Sequence, residues 1–161
     1  MRLNPHPPRL LPTPSRRLKV RLMQKLRPRS PYEKLGGYVH LPRLIDKAKL
    51  HRKGLLNGYN YKTVGFDKHL LAFLKLNGDA FEEAANLLED DKAILEWVSQ
   101  NAIKHSNEEI EHWNKEMISR HPDTAAKKAR FTHFLKESGG GGRKDIKTYF
   151  DLIEFDEGRL K

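Results

Sequence analysis

The chain has no cysteine among its 161 residues. That removes disulfide frameworks, cysteine-ligated zinc and iron–sulfur centres, and thiol nucleophiles. Long apolar runs are also missing: the longest are a few residues, far short of the ~20 that a membrane helix needs. No stretch of roughly 7–15 apolar residues follows the N-terminus, so a secretory signal is excluded. No phosphate-binding Walker loop, nucleophile elbow, dinucleotide-binding glycine motif or HExxH helix occurs, and no cofactor is called for. What is present is 37% apolar and 32% charged residues, with a formal charge of +10. A soluble, cytoplasmic protein of one domain and a tail fits these limits.

The charge is unevenly placed. Before Ser30 stand nine Lys or Arg and no acid, whereas Ser30 to Lys161 holds 22 basic and 21 acidic residues. Residues 1–29 also carry Pro5, Pro7, Pro8, Pro12 and Pro14, which fix φ and remove backbone donors, so this stretch reads as a basic, disordered leader. Met23 is a candidate start, which would leave the first 22 residues an upstream-start artefact. A nucleic-acid arm and an organelle-targeting peptide are the other readings of the leader. With a net charge of only +1, the domain after it is not expected to bind nucleic acid.

Apolar spacing from Leu41 onward is helical. Leu41, Leu44, Ile45 and Ala48 fall at i, i+3, i+4 and i+7, with Pro42 in the first turn and Gly54 as a stop. Further stripes follow: Phe66, Leu70, Phe73 and Leu74; Phe81, Ala84, Ala85 and Leu88; Ile94, Leu95, Val98 and Ala102. Next come Ile110, Trp113 and Met117 behind a capping box at Ser106–Glu109, then Phe131, Phe134 and Leu135 in a helix capped at Asp123 after the His121-Pro122-Asp123 break. The last is Ile146, Tyr149, Phe150 and Ile153, with Asp145 as its cap. Asn57–Tyr61 is the one place where a brief strand is expected. The prediction is an all-α irregular orthogonal bundle of about seven short helices. Residues 30–138 form the domain, 139–144 a glycine-rich hinge, and 145–161 a C-terminal helix and tail docked on it, with docking onto a partner chain as the alternative. Past the last helix a solvated tail is the default, although Gly158 fits a helix stop and Arg159 is placed to reach an acid on the bundle.

The densest polar segment is Ser30 to Arg43. Gly36 and Gly37 let a ligand approach the backbone, and the helix opening at Pro42 points its free N–H groups toward the loop. Arg43 in that first turn opposes the helix dipole, which an anionic partner would offset. Tyr38, His40, Asp46, Tyr59, Asn60 and Asp67 complete the candidate site. A structural corner explains the same residues, with Asp67 capping the following helix. None of the eight histidines forms a ligand pair of metal-binding spacing, so no metal site is expected.

Arg29-Ser30-Pro31, Leu35-Gly36-Gly37-Tyr38, Leu41 to Ala48, Gly58-Tyr59-Asn60-Tyr61 and Asp67 form a distinctive series. It continues through Ile94 to Val98, Ile110 to Asn114, Tyr149 to Glu154 and Asp156-Glu157-Gly158-Arg159. Over residues 28–160 this resembles a bacterial family catalogued as domain of unknown function 5069. The resemblance implies a small, mainly helical protein, supports Met23 as a start, and brings no activity. At Lys62–Gly65 relatives have a shorter Asn-Cys-Pro-type link, so thiol chemistry there is closed to this chain. The expected function is a binding or interaction module recognising an anionic small molecule or acidic segment at Gly36–Arg43. One alternative is an enzyme using His40 with a nearby carboxylate as acid and base; the other is nucleic-acid binding through the leader. Partners and oligomeric state are not specified by the sequence.

Overall fold

The computed structural model describes residues 15–17 and 27–161. The expectations for the remainder of the leader, including the start at Met23, lie outside the described residues. From Arg27 the chain leads into a two-residue-per-strand hairpin, β1 (Lys34–Leu35) and β2 (Tyr38–Val39). Seven helices follow: α1 (Leu41–Arg52), α2 (Gly65–Leu74), α3 (Gly78–Leu87), α4 (Asp91–Asn101), α5 (Asn107–Ser119), α6 (Ala125–Glu137) and α7 (Tyr149–Asp156). The all-α reading holds, with the hairpin as its only sheet among the described residues.

That hairpin corrects the expected strand position. Asn57–Tyr61 forms turn and irregular backbone, whereas Gly36 (φ +58°) and Gly37 (φ +86°) supply the two successive left-handed residues of a tight antiparallel turn. The strands pair Lys34 with Val39 and Leu35 with Tyr38. Asn114 of α5 fastens the turn: its Oδ1 accepts from the Val39 N–H at 3.1 Å and its Nδ2 donates to the Gly37 carbonyl at 2.8 Å. A buried amide with both ends satisfied is a specific tie rather than generic packing.

The helix stripes converge as their spacing requires. Leu41, Leu44, Ile45, Leu70, Leu74, Phe81, Ile94, Val98 and Met117 build the main core, and Phe150 from α7 is buried in it. A second, smaller core holds Phe131 and Leu135 of α6 with Ile146, flanked by Tyr149, Leu152 and Phe155. Thus α7 faces two cores at once. Local capping departs from expectation in two places. Thr124, not Asp123, caps α6 by accepting from the Lys127 N–H. Thr148, not Asp145, caps α7, so Ile146 packs from the segment before the helix, and Asp145 pairs with Arg143 at 2.7 Å. The Ser106–Glu109 capping box is present as read.

The glycine run is a close-packing device. A Cβ on Gly140 would stand 2.6 Å from a Leu135 methyl and 2.7 Å from the Phe155 ring, so only glycine lets this turn seat against the second core. The stretch after α7 is also ordered against the body, contrary to the solvated default: Glu157 is buried, and Arg159 reaches Glu154 and the Pro28 carbonyl.

Candidate functional site

Five ionisable side chains are buried together where α1 meets α2 and the end of α7: His40, Arg43, Lys47, Asp67 and Glu157. Removing charges from water costs several kcal/mol per ion, and an apolar substitute would often be neutral or stabilising. Such a cluster in a small helical domain is the candidate functional site.

His40, immediately before α1, adopts a left-handed conformation (φ +69°) that is costly for a bulky side chain. Its position is over-determined: its N–H donates to the Pro31 carbonyl at 2.9 Å, its carbonyl accepts from Leu44, and its Nε2 lies 2.6 Å from Asp67 Oδ1. The Phe66 and Phe150 rings flank the imidazole at 5.9 and 6.4 Å. At 1% exposure, burial pushes its pKa below the ordinary histidine value, against the pull of Asp67. Burial works to raise the Asp67 carboxyl, yet hydrogen bonding by His40, its positive neighbours and the Lys62 N–H at 3.0 Å hold it below its usual range. An ionised Asp67 facing Nε2 makes that nitrogen the donor, so Nδ1 presents a bare lone pair, and it has no hydrogen-bond partner.

Lys47 stands about two turns beyond His40, along α1. Its Nζ donates to Asp67 Oδ1 at 3.1 Å and to the Asn60 carbonyl at 2.8 Å. Burial lowers its pKa, countered by the Asp67 charge. Asp67 therefore serves as the shared acceptor of His40, Lys47 and Lys62, and the expectation that it caps its own helix is corrected: Val64 precedes α2 and offers no side-chain cap.

Arg43 does not present a free guanidinium. It grips Glu157 with two parallel bonds, Nη1 to Oε1 at 2.9 Å and Nη2 to Oε2 at 2.6 Å, and donates a further bond to the Arg29 carbonyl at 3.0 Å. This fork-on-fork geometry is the strongest form of carboxylate recognition. The Tyr59 ring lies 5.6 Å from the guanidinium carbon, and burial with the Glu157 charge raises its hydroxyl pKa. Arg159 adds a second contact to Glu157 at 2.8 Å, while Arg27 donates to the Glu157 backbone carbonyl. Two arginines thus hold the Glu157 carboxylate and a third its backbone carbonyl.

The other expected residues are dispersed. Asp46 is engaged by Arg29, which also clamps Asp91 of α4; Arg27 and Arg29, part of the basic leader by composition, are therefore tied to the folded body. Gly36 and Gly37 form the hairpin tip against Leu95 and Ile110, and Tyr38 packs edge-on against Phe73. The structure unites His40, Lys47, Asp67 and the Asn60 carbonyl in one group and Arg43, Tyr59 and Glu157 in an adjoining one. Lys47 and Glu157 are the members that sequence reasoning did not place at the site. Two open surface hollows lie elsewhere, one lined by Phe73, His105 and Trp113 with Glu108, Glu109 and Glu116, the other by Lys62 to Asp79; neither is lined by His40 or Arg43. Among the described residues, no group of three or more His, Asp or Glu is placed to hold a metal ion, and no helix is long and apolar enough to cross a membrane.

The pattern of the family described as Domain of unknown function (DUF5069) matches residues 25–159, which includes every member of this cluster. The chain belongs to the DUF5069 family. The matched span begins just before Arg27 and ends at Arg159, the two arginines that close over Glu157 from opposite ends of the DUF5069 domain. A comparison with curated proteins found no match.

Proposed function

We propose that this DUF5069 protein is a binding module that recognises a carboxylate or similar anionic group at Arg43, with Glu157 filling that position in the closed conformation. The observation that carries this reading is the two-bond contact between Arg43 and Glu157, buried on both sides and delivered by the short segment that follows α7. A buried Arg fork is pre-shaped for a planar anion, Tyr59 bounds one side of it, and Arg159 supplies a second cation. A ligand carboxylate meets the same donors once Glu157 withdraws, so binding is opposed by the intramolecular contact.

The test removes the resident carboxylate. In Glu157→Ala, formate, acetate and inorganic phosphate are each expected to raise the melting temperature well beyond their effect on the wild type, because they restore a partner to Arg43. The double variant Arg43→Met/Glu157→Ala should show no such gain. Equal responses in all three proteins would overturn the proposal.

The second reading, an enzyme with His40 as acid or base, is favoured by its 2.6 Å contact with Asp67, which orients the ring and leaves Nδ1 bare. Opening of the C-terminal segment would have to expose Nδ1 for this chemistry. Imidazole-selective modification by diethylpyrocarbonate distinguishes the cases: a His40 that reacts faster in Glu157→Ala than in the wild type supports this reading, and one that stays inert in both sinks it.

A further inference from the structure

The net charge of +1 from Ser30 onward conceals a separation. Residues 78–116, spanning α3, α4 and most of α5, hold eleven acidic and three basic residues, whereas residues 124–147 hold seven basic and two acidic. The second stretch is α6 together with the segment that runs back along it to α7, the two closed over the small Phe131, Leu135 and Ile146 core. Gly140 and Gly141 lie against Leu135 and Lys136, and Tyr149 meets the Phe131 ring at 5.7 Å, which fixes the antiparallel course. Lys127, Arg143 and their acids Asp123 and Asp145 are mutually paired, but Lys128, Arg130, Lys136, Lys144 and Lys147 are exposed and have no ion partner among the described residues.

Phe134 lies on α6 one turn after Arg130 and two residues before Lys136. It is 57% exposed, the most exposed aromatic of the described hydrophobic residues, and the also exposed His133 ring lies 5.9 Å from it. A lone aromatic between unpaired cations does not suit a bilayer, where one ring offers too little apolar area to insert. It does suit a nucleotide strand, whose phosphates meet the cations and whose unpaired bases have free faces for a ring. A duplex hides those faces. Arg27 lies toward the same side, since it contacts Glu157 and the next residue, Gly158, while Asp156 bonds Ser138 at the end of α6.

From these observations we infer that α6 and the returning segment form a binding surface for single-stranded nucleic acid, with Lys128, Arg130, Lys136 and Lys147 meeting phosphates and Phe134 stacking on a base. This surface is separate from the Arg43 site, and it replaces the expectation that the domain is too neutral to bind.

The test is fluorescence anisotropy of a labelled oligothymidylate of roughly 16 nucleotides with the full-length chain, between about 50 and 200 mM salt. Affinity should fall linearly with salt on logarithmic axes. Lys128→Gln/Arg130→Gln/Lys136→Gln should flatten that slope by about 0.7 for each phosphate left without its cation, so by roughly 2. Phe134→Ala, at an exposed position where folding is not at stake, should weaken binding about tenfold with the slope unchanged. Binding should survive removal of residues 1–22. Wild-type affinity in the triple variant, or disappearance of all binding with those 22 residues, overturns the inference. So does capture by anionic vesicles, or salt-sensitive self-association, in a protein that ignores the oligonucleotide.

Discussion

At the scale of single residues, His40 carries the most information. Its pKa lies below the ordinary value near 6.5 because burial penalises the imidazolium. The unfolded chain therefore takes up a proton that the folded chain resists, and stability contributed by neutral His40 is fully present above about 6.5 and is lost as pH falls below it. Thermal melts between pH 7.5 and 5.5 should show a falling midpoint, and His40→Asn, which tolerates the left-handed conformation, should flatten the fall. An unchanged slope in that variant would mean that His69, whose pKa burial also lowers, accounts for the effect. Glu157→Ala should cost about 3–5 kcal/mol in denaturant unfolding, since Arg43 would be left buried with a single carbonyl partner. His40, Arg43 and Asp67 were legible as a group because a Gly-Gly turn, a proline-opened helix and an acid on the next helix all converge there. Glu157 was not, because partners more than a hundred positions apart leave no local spacing to read. Lys47 escaped notice for another reason: a lysine on the polar side of an amphipathic stripe looks solvated until the neighbouring loop covers it.

At the scale of elements, helix existence followed from periodicity, and boundaries followed from caps. Where a Ser-x-x-Glu box was available, the start was correct to the residue, as at Ser106. At Asp123-Thr124 two capping types stand side by side, both suit the position, and only the backbone turn decides for Thr124. The hairpin was missed for a related reason. Asn57-Gly58 is the stronger turn signal in isolation, but Gly36-Gly37 has Asn114 waiting on α5, and a tertiary tie outweighs a local preference. The glycine run shows how little composition says about stiffness. A flexible linker would accept alanine equally at each position. The structure instead predicts that Gly140→Ala loses about 1–3 kcal/mol through overpacking against Leu135 and Phe155, while Gly141→Ala, whose Cβ would meet Lys136 at an ordinary 3.6 Å, stays within about 0.5 kcal/mol of wild type. Chemical denaturation of the two variants in parallel decides it.

For the molecule as a whole, the two cores and the split charge belong to one arrangement. The acidic helices α3 to α5 surround the main core, the basic α6 and its return segment enclose the smaller one, and α7 joins them by burying Phe150 in the first and setting Leu152 and Phe155 against the second. Periodicity gave the fold class and the family resemblance a span within three residues of the matched one, but a summed charge could not reveal the separation, since opposite charges cancel in any total. At low ionic strength this separation should make the protein retain on both anion- and cation-exchange resins, the cation-exchange retention falling selectively in Lys128→Gln/Arg130→Gln/Lys136→Gln.

The closing of Arg27 and Arg159 over Glu157 also has a consequence for synthesis. Arg43 lies 114 positions from the carboxylate that neutralises it, and Phe150 fills the core around helices made far earlier. A chain that has made only α1 to α5 lacks both the carboxylate that pairs with Arg43 and the Phe150 ring that fills the main core. Contacts this distant in sequence are slow to form because the entropy of closing the loop comes before the reward. The Arg43–Glu157 contact is therefore expected to form late in folding, and a chain truncated within α7, which lacks Glu157, is expected to unfold at a lower temperature and less cooperatively than the wild type.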